Sequence, residues 1–158
     1  MKKILFVCLG NICRSPSAEG VFLAELKKRH LCDNYFVDSA GTGAWHVGEL
    51  ADSRMRKHAL IRGYDLVSRA RQVKVTDFDE FDVIIAMDKS NLNNLKKLRE
   101  SSSGGAKCFL MTDFSREFQG TEEVPDPYYG GEEGFERVLD LLEDACKELL
   151  DKLETNEV

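Results

Sequence analysis

The sequence predicts an α/β fold, one three-layer domain over residues 1–158 in which a four-stranded, parallel, doubly wound sheet carries helices on both faces. Four short apolar runs, at residues 3–7, 35–38, 81–87 and 108–111, have the length and content of strands. The stretches between consecutive runs are long enough for right-handed crossovers and carry helical patterns, the signature of parallel pairing. The run at 81–87 is apolar almost throughout, as a strand covered on both faces should be.

Taken in order, the first run leads into a loop ending at Ser15-Pro16, where proline suits the first helical position and Ser15 is the expected cap. Ala18, Val21, Phe22 and Leu26 then share one face of a helix reaching about residue 30. After the second strand, residues 39–43 are expected to turn away from its end. Loops at the carboxyl ends of parallel strands build the ligand crevice, so this turn should neighbour the loop after the first strand. Trp45, the only tryptophan, sits in a glycine-rich loop and has two roles open to it, a loop anchor or a wall of the pocket mouth. A helix over 49–62 ends at Gly63. Residues 65–76 carry Arg69, Arg71 and Lys74 without periodicity and read as a loop. Beyond the strand at 81–87, Asp88 caps a helix to about residue 99, and residues 101–105 form a flexible connection. The last helix, 132–153, places Phe135, Val138, Leu139, Leu142, Ala145, Leu149 and Leu153 at helical spacing, and the final five residues should fray.

A chain of 158 residues is one domain by size, and no repeat or linker divides it. The formal charge of -6 argues against nucleic acid or a membrane surface as the main partner, because both reward a basic face. The run after Met1 is too short for a secretory signal, and no stretch has the length of a membrane span. Five cysteines, an odd number without a paired framework, suit a reducing compartment, so a soluble cytoplasmic protein is expected. His30, His46 and His58 lack ligand spacing and read as solvated or loop residues. No metal and no cofactor are expected.

The chemistry is concentrated at residues 7–16, Val-Cys-Leu-Gly-Asn-Ile-Cys-Arg-Ser-Pro. A strand-to-helix crossover aims several backbone N–H groups and the positive end of a helix dipole into one concavity, which favours a phosphate-like dianion. Leu9, Gly10, Asn11, Ile12, Cys13 and Arg14 are the candidate phosphate-binding residues. Gly10 and Asn11 tolerate the left-handed conformations that such a cradle demands. Arg14 adds a planar donor pair for the same oxyanion. The same field stabilises Cys8 as the thiolate, its nucleophilic form. An oxyanion pocket with a thiolate at its base can attack phosphorus.

Expulsion of an alkoxide or phenoxide is easier when the leaving oxygen is protonated, the free phenol of tyrosine having a pKa of about 10. Asp126 is the candidate acid, since its flanking prolines stiffen the backbone and hold it extended. Tyr128 and Tyr129, beside a glycine pair, could line a slot for a flat aromatic group.

The string at 7–19, V-C-L-G-N-I-C-R-S-P-S-A-E, resembles the signature loop of the low-molecular-weight protein tyrosine phosphatases. The likeness extends to S-A-G-T at 39–42, A-R-Q at 70–72, A-M-D-x-x-N at 86–91 and D-P-Y-Y at 126–129. It implies a cysteine-dependent phosphatase acting on phosphotyrosine-containing proteins, with acid phosphatase activity and a phosphocysteine intermediate. Cys8 would be the nucleophile, Arg14 the oxyanion ligand, Asp126 the acid and then the base, and Ser15 the donor to the thiolate. Asn11 and Ser39 would hold the loop's shape, while Leu9, Ile12, Trp45, Tyr128 and Tyr129 would form the substrate cleft. Many members carry a histidine before A-R where this chain has Ser68-Arg69, so bracing of the loop is expected to be weaker or rerouted. Cys13 could form a disulfide with Cys8, making the loop a redox switch. A monomer is expected.

Two other enzymes share these features. Arsenate reductases of this fold need a relay of further cysteines around the third strand and the helix after it, and residues 81–99 contain none. Phosphatases for phosphoarginine or small phosphomonoesters would differ at the pocket mouth, whose aromatic and apolar residues favour phosphotyrosine. A binding module without catalysis has nothing in its favour, because Cys8, Arg14, Ser15 and Asp126 are all present.

Overall fold

In the computed structural model, which describes residues 1–158, the strands are β1 (Lys2–Cys8), β2 (Tyr35–Gly41), β3 (Val83–Ala86) and β4 (Lys107–Leu110). Every pair is parallel, as the sequence predicts, and the structure sets their order as β2-β1-β3-β4. The helices are α1 (Arg14–Lys28), α2 (Ser53–Ile61), α3 (Asp77–Glu80), α4 (Lys89–Arg99) and α5 (Glu132–Glu154).

Strand periodicity divides β1 between two cores. Ile4, Phe6 and Cys8 face α1 and α5 and join the larger cluster, whereas Leu5 and Val7 face the opposite layer with Phe78 and Leu95. Both sets are apolar because both faces are covered. Phe6 and Phe22 meet edge to face with centroids 5.7 Å apart, and Phe22 repeats this with Tyr35 at 6.0 Å, which locks α1 onto the sheet. α5 supplies the long apolar stripe read from the sequence, from Phe135 to Leu153.

Several boundaries differ from the expectation, each for a local reason. Ser15 does not cap α1: the helix begins at Arg14, its cap position is Cys13 without a side-chain bond, and the Ser15 hydroxyl is engaged in the loop. Residues 39–41 continue β2 instead of turning, because β1 runs alongside as far as the Cys8–Gly41 pair. α2 starts four residues late, since the Asp52 carboxylate accepts the Arg54 and Met55 N–H groups and makes Asp52 the cap. α3 has no periodicity to betray it; the buried Asp77 carboxylate holds it by accepting the Lys74 N–H and pairing with Arg71. His58 is neither solvated nor in a loop, for it lies on α2, stacks on Phe135 and bonds Glu136 at 2.5 Å.

The chain steps outward from β1 to β2 and then returns to β3 on the other side. The carboxyl ends of β1 and β3 therefore bound the crevice where the winding direction switches.

Candidate active site

The loop after β1 is held by its carbonyls and leaves its N–H groups free. Thr42 N–H donates to the Cys8 carbonyl and Gly43 N–H to Leu9, both at 2.9 Å; Asp52 N–H donates to Ile12 at 2.8 Å, and the Ser17 hydroxyl to Cys13 at 2.6 Å. The backbone N–H groups of residues 9–15 donate to no group of the protein. Such a row of free donors at the start of α1 is an oxyanion cradle. Gly41 permits it, because a Cβ there would come within 2.7 Å of the Leu9 carbonyl oxygen.

Asn11 adopts the left-handed conformation, φ 57°, and is fixed there by its amide. Its Oδ1 accepts the Arg71 N–H at 3.0 Å, while Nδ2 donates to Ser15 at 2.8 Å and to Ser39 at 3.0 Å. Gly10, expected to share that conformation, has no positive φ; its lack of a side chain matters because a Cβ would press on His46 at 3.1 Å. Ser39 passes the network outward by donating to Glu19 at 2.6 Å. Burial raises the Glu19 carboxyl above the ordinary glutamate value, against the opposing effect of hydrogen bonds from Ser39 and Ser68. The loop is braced through Asn11, Ser39 and Glu19. Inside the loop, the Ser15 hydroxyl lies 3.0 Å from Cys8 Sγ.

Arg14 is buried and joins three segments. Its Nη1 donates to Asp88 at 2.6 Å and to the Val124 carbonyl at 3.1 Å, and its Nη2 stands 3.7 Å from Asp126 Oδ2. Burial works against the Arg14 charge, but Cys8, Asp88 and Asp126 outweigh it and raise its pKa further above the usual arginine value. Val124 N–H also bonds the Met87 carbonyl at 3.0 Å, so the segment leading to Asp126 is stitched to the end of β3 and to Arg14 together. Asp126 Oδ1 accepts the Tyr128 N–H at 3.0 Å in an Asx turn that fixes the carboxyl over the cradle.

Cys8, Arg14 and Asp126 line one cavity of about 390 Å³, with Leu9, Ile12, Trp45, Tyr128 and Tyr129 among its walls. Every candidate cleft residue is thus brought to the same mouth. Trp45 fills both roles left open, its ring lying against Gly43, where a Cβ would overlap it, while it walls the cavity. Tyr128 and Tyr129 pack edge to face, centroids 4.9 Å apart. Asn11, Ser15 and Ser39 support the loop from behind without lining the cavity. All five cysteines are free thiols, and burial followed by the Asp52 charge raises the pKa of Cys13, which keeps it protonated.

Sequence reasoning missed Asp88 as the partner of Arg14, Glu19 as the end of the loop network, and Arg71 as the clamp on Asn11. It also missed His46 in the cavity wall, and Arg54, which lies over the Tyr128 ring and donates to its carbonyl at 3.1 Å. Only His46 had a usable signal, its place beside Trp45.

Comparison with known proteins gives a consistent outcome. The model of the family described as low molecular weight phosphotyrosine protein phosphatase matches residues 3–158. A putative low molecular weight protein-tyrosine-phosphatase of Synechocystis is 48% identical over 151 residues, 96% of each chain. The structure of a protein tyrosine phosphatase from Entamoeba histolytica, with Hepes in its active site, superposes with a TM-score of 0.94 at 49% identity over 100% of both chains. An arginine phosphatase of Drosophila superposes with a TM-score of 0.90 at 33% identity, covering 97% of this chain and 98% of its own.

Proposed function

Since the chain belongs to the low molecular weight phosphotyrosine protein phosphatase family, we propose that it hydrolyses phosphotyrosine in proteins through a phosphocysteine at Cys8, with Asp126 as acid and base. Cys8 Sγ attacks phosphorus as the bond to the phenolic oxygen breaks, and Asp126 protonates that oxygen. The free N–H groups of residues 9–15 and the Arg14 guanidinium hold the three equatorial oxygens. Water then attacks the phosphocysteine and gives a proton to Asp126; the thiolate leaves, stabilised by the Ser15 hydroxyl at 3.0 Å, and inorganic phosphate departs. The observation that carries this reading is the meeting of Cys8, the unpartnered N–H row and Asp126 in one aromatic-walled cavity.

No step needs a metal or cofactor. The site draws every group from one chain, which supports a working monomer, and five free cysteines support a reducing, cytoplasmic setting. No helix is long and apolar enough to cross a membrane. Arsenate reduction is disfavoured by the three thiols beyond Cys13: Cys32 precedes the start of β2, at the sheet end opposite the site, Cys146 is buried in the core, and Cys108 lies under Arg99 at 3.5 Å. The Drosophila relative makes phosphoarginine the relevant rival; Trp45, Tyr128 and Tyr129 wall the mouth with aromatic rings that can pack against the phenyl group of phosphotyrosine. Parallel kinetics on phosphotyrosine, phosphoarginine and phosphoserine peptides test this reading. The expected order of kcat/KM is phosphotyrosine first by at least about tenfold, the scale of one lost stacking contact; a lead for phosphoarginine overturns it.

Cys13 belongs to the same proposal as a redox partner. Peroxide oxidises the Cys8 thiolate to a sulfenic acid with loss of hydroxide, the Cys13 sulfur attacks the Cys8 sulfur while its proton leaves with the sulfenic hydroxyl as water, and a dithiol reduces the resulting disulfide. Wild-type enzyme treated with peroxide should regain activity with dithiothreitol, whereas Cys13→Ser should progress to irreversible loss. Equal recovery in both would refute the pairing.

A further inference from the structure

Charge is distributed unevenly along this acidic chain. Residues 49–74 hold seven Lys and Arg against three Asp and Glu, although the whole sequence holds 22 against 28. Four of the seven are already engaged or lie elsewhere: Arg54 pairs with Asp52, Arg62 with Glu136, Asp140 and Glu143, and Arg71 with Asp38 and Asp77, while Lys74 sits beside α3. Arg56, Lys57 and Arg69 have no carboxylate within ion-pair distance; Arg56 and Arg69 donate only to the backbone carbonyls of Ala51 and Gly48. Arg69 is bridged to Leu50, and Leu50, Arg56, Lys57, Leu60 and Val67 line one groove of about 450 Å³, in which Asp65 is the single carboxylate. Leu60 is 62% exposed and Val67 71%, so the groove is both apolar and electropositive.

Helix α2 links the groove to the mouth of the cavity. Arg54, on the same helix, touches the carbonyl and ring of Tyr128, and Lys57 and Leu60 follow three and six residues later. On a helix these steps are about 4.5 and 9 Å along the axis. An extended peptide advances roughly 3.3 Å per residue, so one leaving the mouth along α2 covers those steps in about one to three residues.

We propose that this groove docks an acidic segment bearing an apolar side chain, about one to three residues from the phosphotyrosine of a protein substrate. The proposal rests on the phosphotyrosine reading above. The occupant follows from complementarity: Arg56 and Lys57 in the groove, with Arg69 beside it opposite Leu50, meet carboxylates, while Leu50, Leu60 and Val67 receive the apolar side chain. A peptide suits the concave shape better than a bilayer, which the surrounding acidic surface would repel.

Phosphotyrosine peptides with an Asp/Glu-Leu segment at that spacing, on either side, are compared with peptides carrying Ser/Gly there. The enzymes are wild type, Lys57→Glu with Arg69→Glu, and Leu60→Ser. Wild type should favour the acidic-apolar peptide about tenfold in kcat/KM, through KM, at low salt, with the preference shrinking as salt rises. Charge reversal should erase it and Leu60→Ser reduce it, while turnover of p-nitrophenyl phosphate stays unchanged in all three. Equal use of both peptides by wild type, or a preference that survives reversal, overturns the proposal. So does an absent preference accompanied by sedimentation of wild type with phosphatidylserine vesicles, which would assign the face to a membrane. Fluorescence anisotropy of the unphosphorylated peptides keeps the two readings separate: acidic-peptide binding lost on charge reversal supports the groove even if phosphotyrosine is not hydrolysed.

Discussion

Cys8→Ser is expected to abolish phosphatase activity, by about 10⁴-fold or more, the usual scale for loss of a catalytic nucleophile. A serine hydroxyl has no thiolate character near neutral pH and would need a base to remove its proton. No base is hydrogen-bonded to that position, whose partner at 3.0 Å is the Ser15 hydroxyl, and Asp126, across the cavity, is assigned to the leaving oxygen and the attacking water. The exchange of sulfur for oxygen is nearly isosteric, so the cradle of free N–H groups should survive. Phosphate should therefore raise the melting temperature of the variant at least as much as that of wild type, because one negative charge is gone from the anion site. The check pairs steady-state kinetics with thermal shift against phosphate concentration. Turnover retained by a variant that still binds phosphate would rule out covalent catalysis at Cys8.

Asp126→Ala should cost about 10²- to 10⁴-fold in kcat on phosphotyrosine peptides, the span of general acid catalysis, and far less on an ester whose leaving group is already a weak base. The difference arises because an activated phenoxide departs without a proton. Kinetics on aryl phosphates of graded leaving-group pKa should give a steeper dependence for the variant than for wild type. Asp126→Asn serves as control, since it keeps an acceptor for the Tyr128 N–H and the Asx turn but has no proton to give. If Asn restored activity, Asp126 would be a positioning residue and the acid would lie elsewhere.

The legible parts of the site are those whose meaning is local. Cys8, Asn11, Arg14 and Ser15 lie within eight residues, so strand, turn and helix start could be read together. Asp126 was found because its prolines and tyrosines are its immediate neighbours. Asp88 read correctly as the cap of α4, which is also local, yet its second oxygen binds Arg14 across 74 positions, and nothing near Asp88 signals that. Glu19 carries no local signal of a role, and only its contact with Ser39 from β2 shows it as the half-buried end of a network. Ser15 was misread for the opposite reason: a local rule favoured a cap, but the thiol and amide nearby offered its hydroxyl better partners.

Periodicity and backbone propensity within short windows suffice for the strands, the helices between them, the parallel layered class and the loop that becomes an oxyanion cradle. The tertiary structure decided which groups work on that loop. Asp126 reaches Arg14 only because Val124 is bonded to Met87 at the end of β3, and Asn11 is held left-handed only because Arg71 and Ser39 arrive from other segments. Hydrogen bonds and ion pairs between distant residues depend on how the chain closes on itself, so side-chain type alone cannot state them.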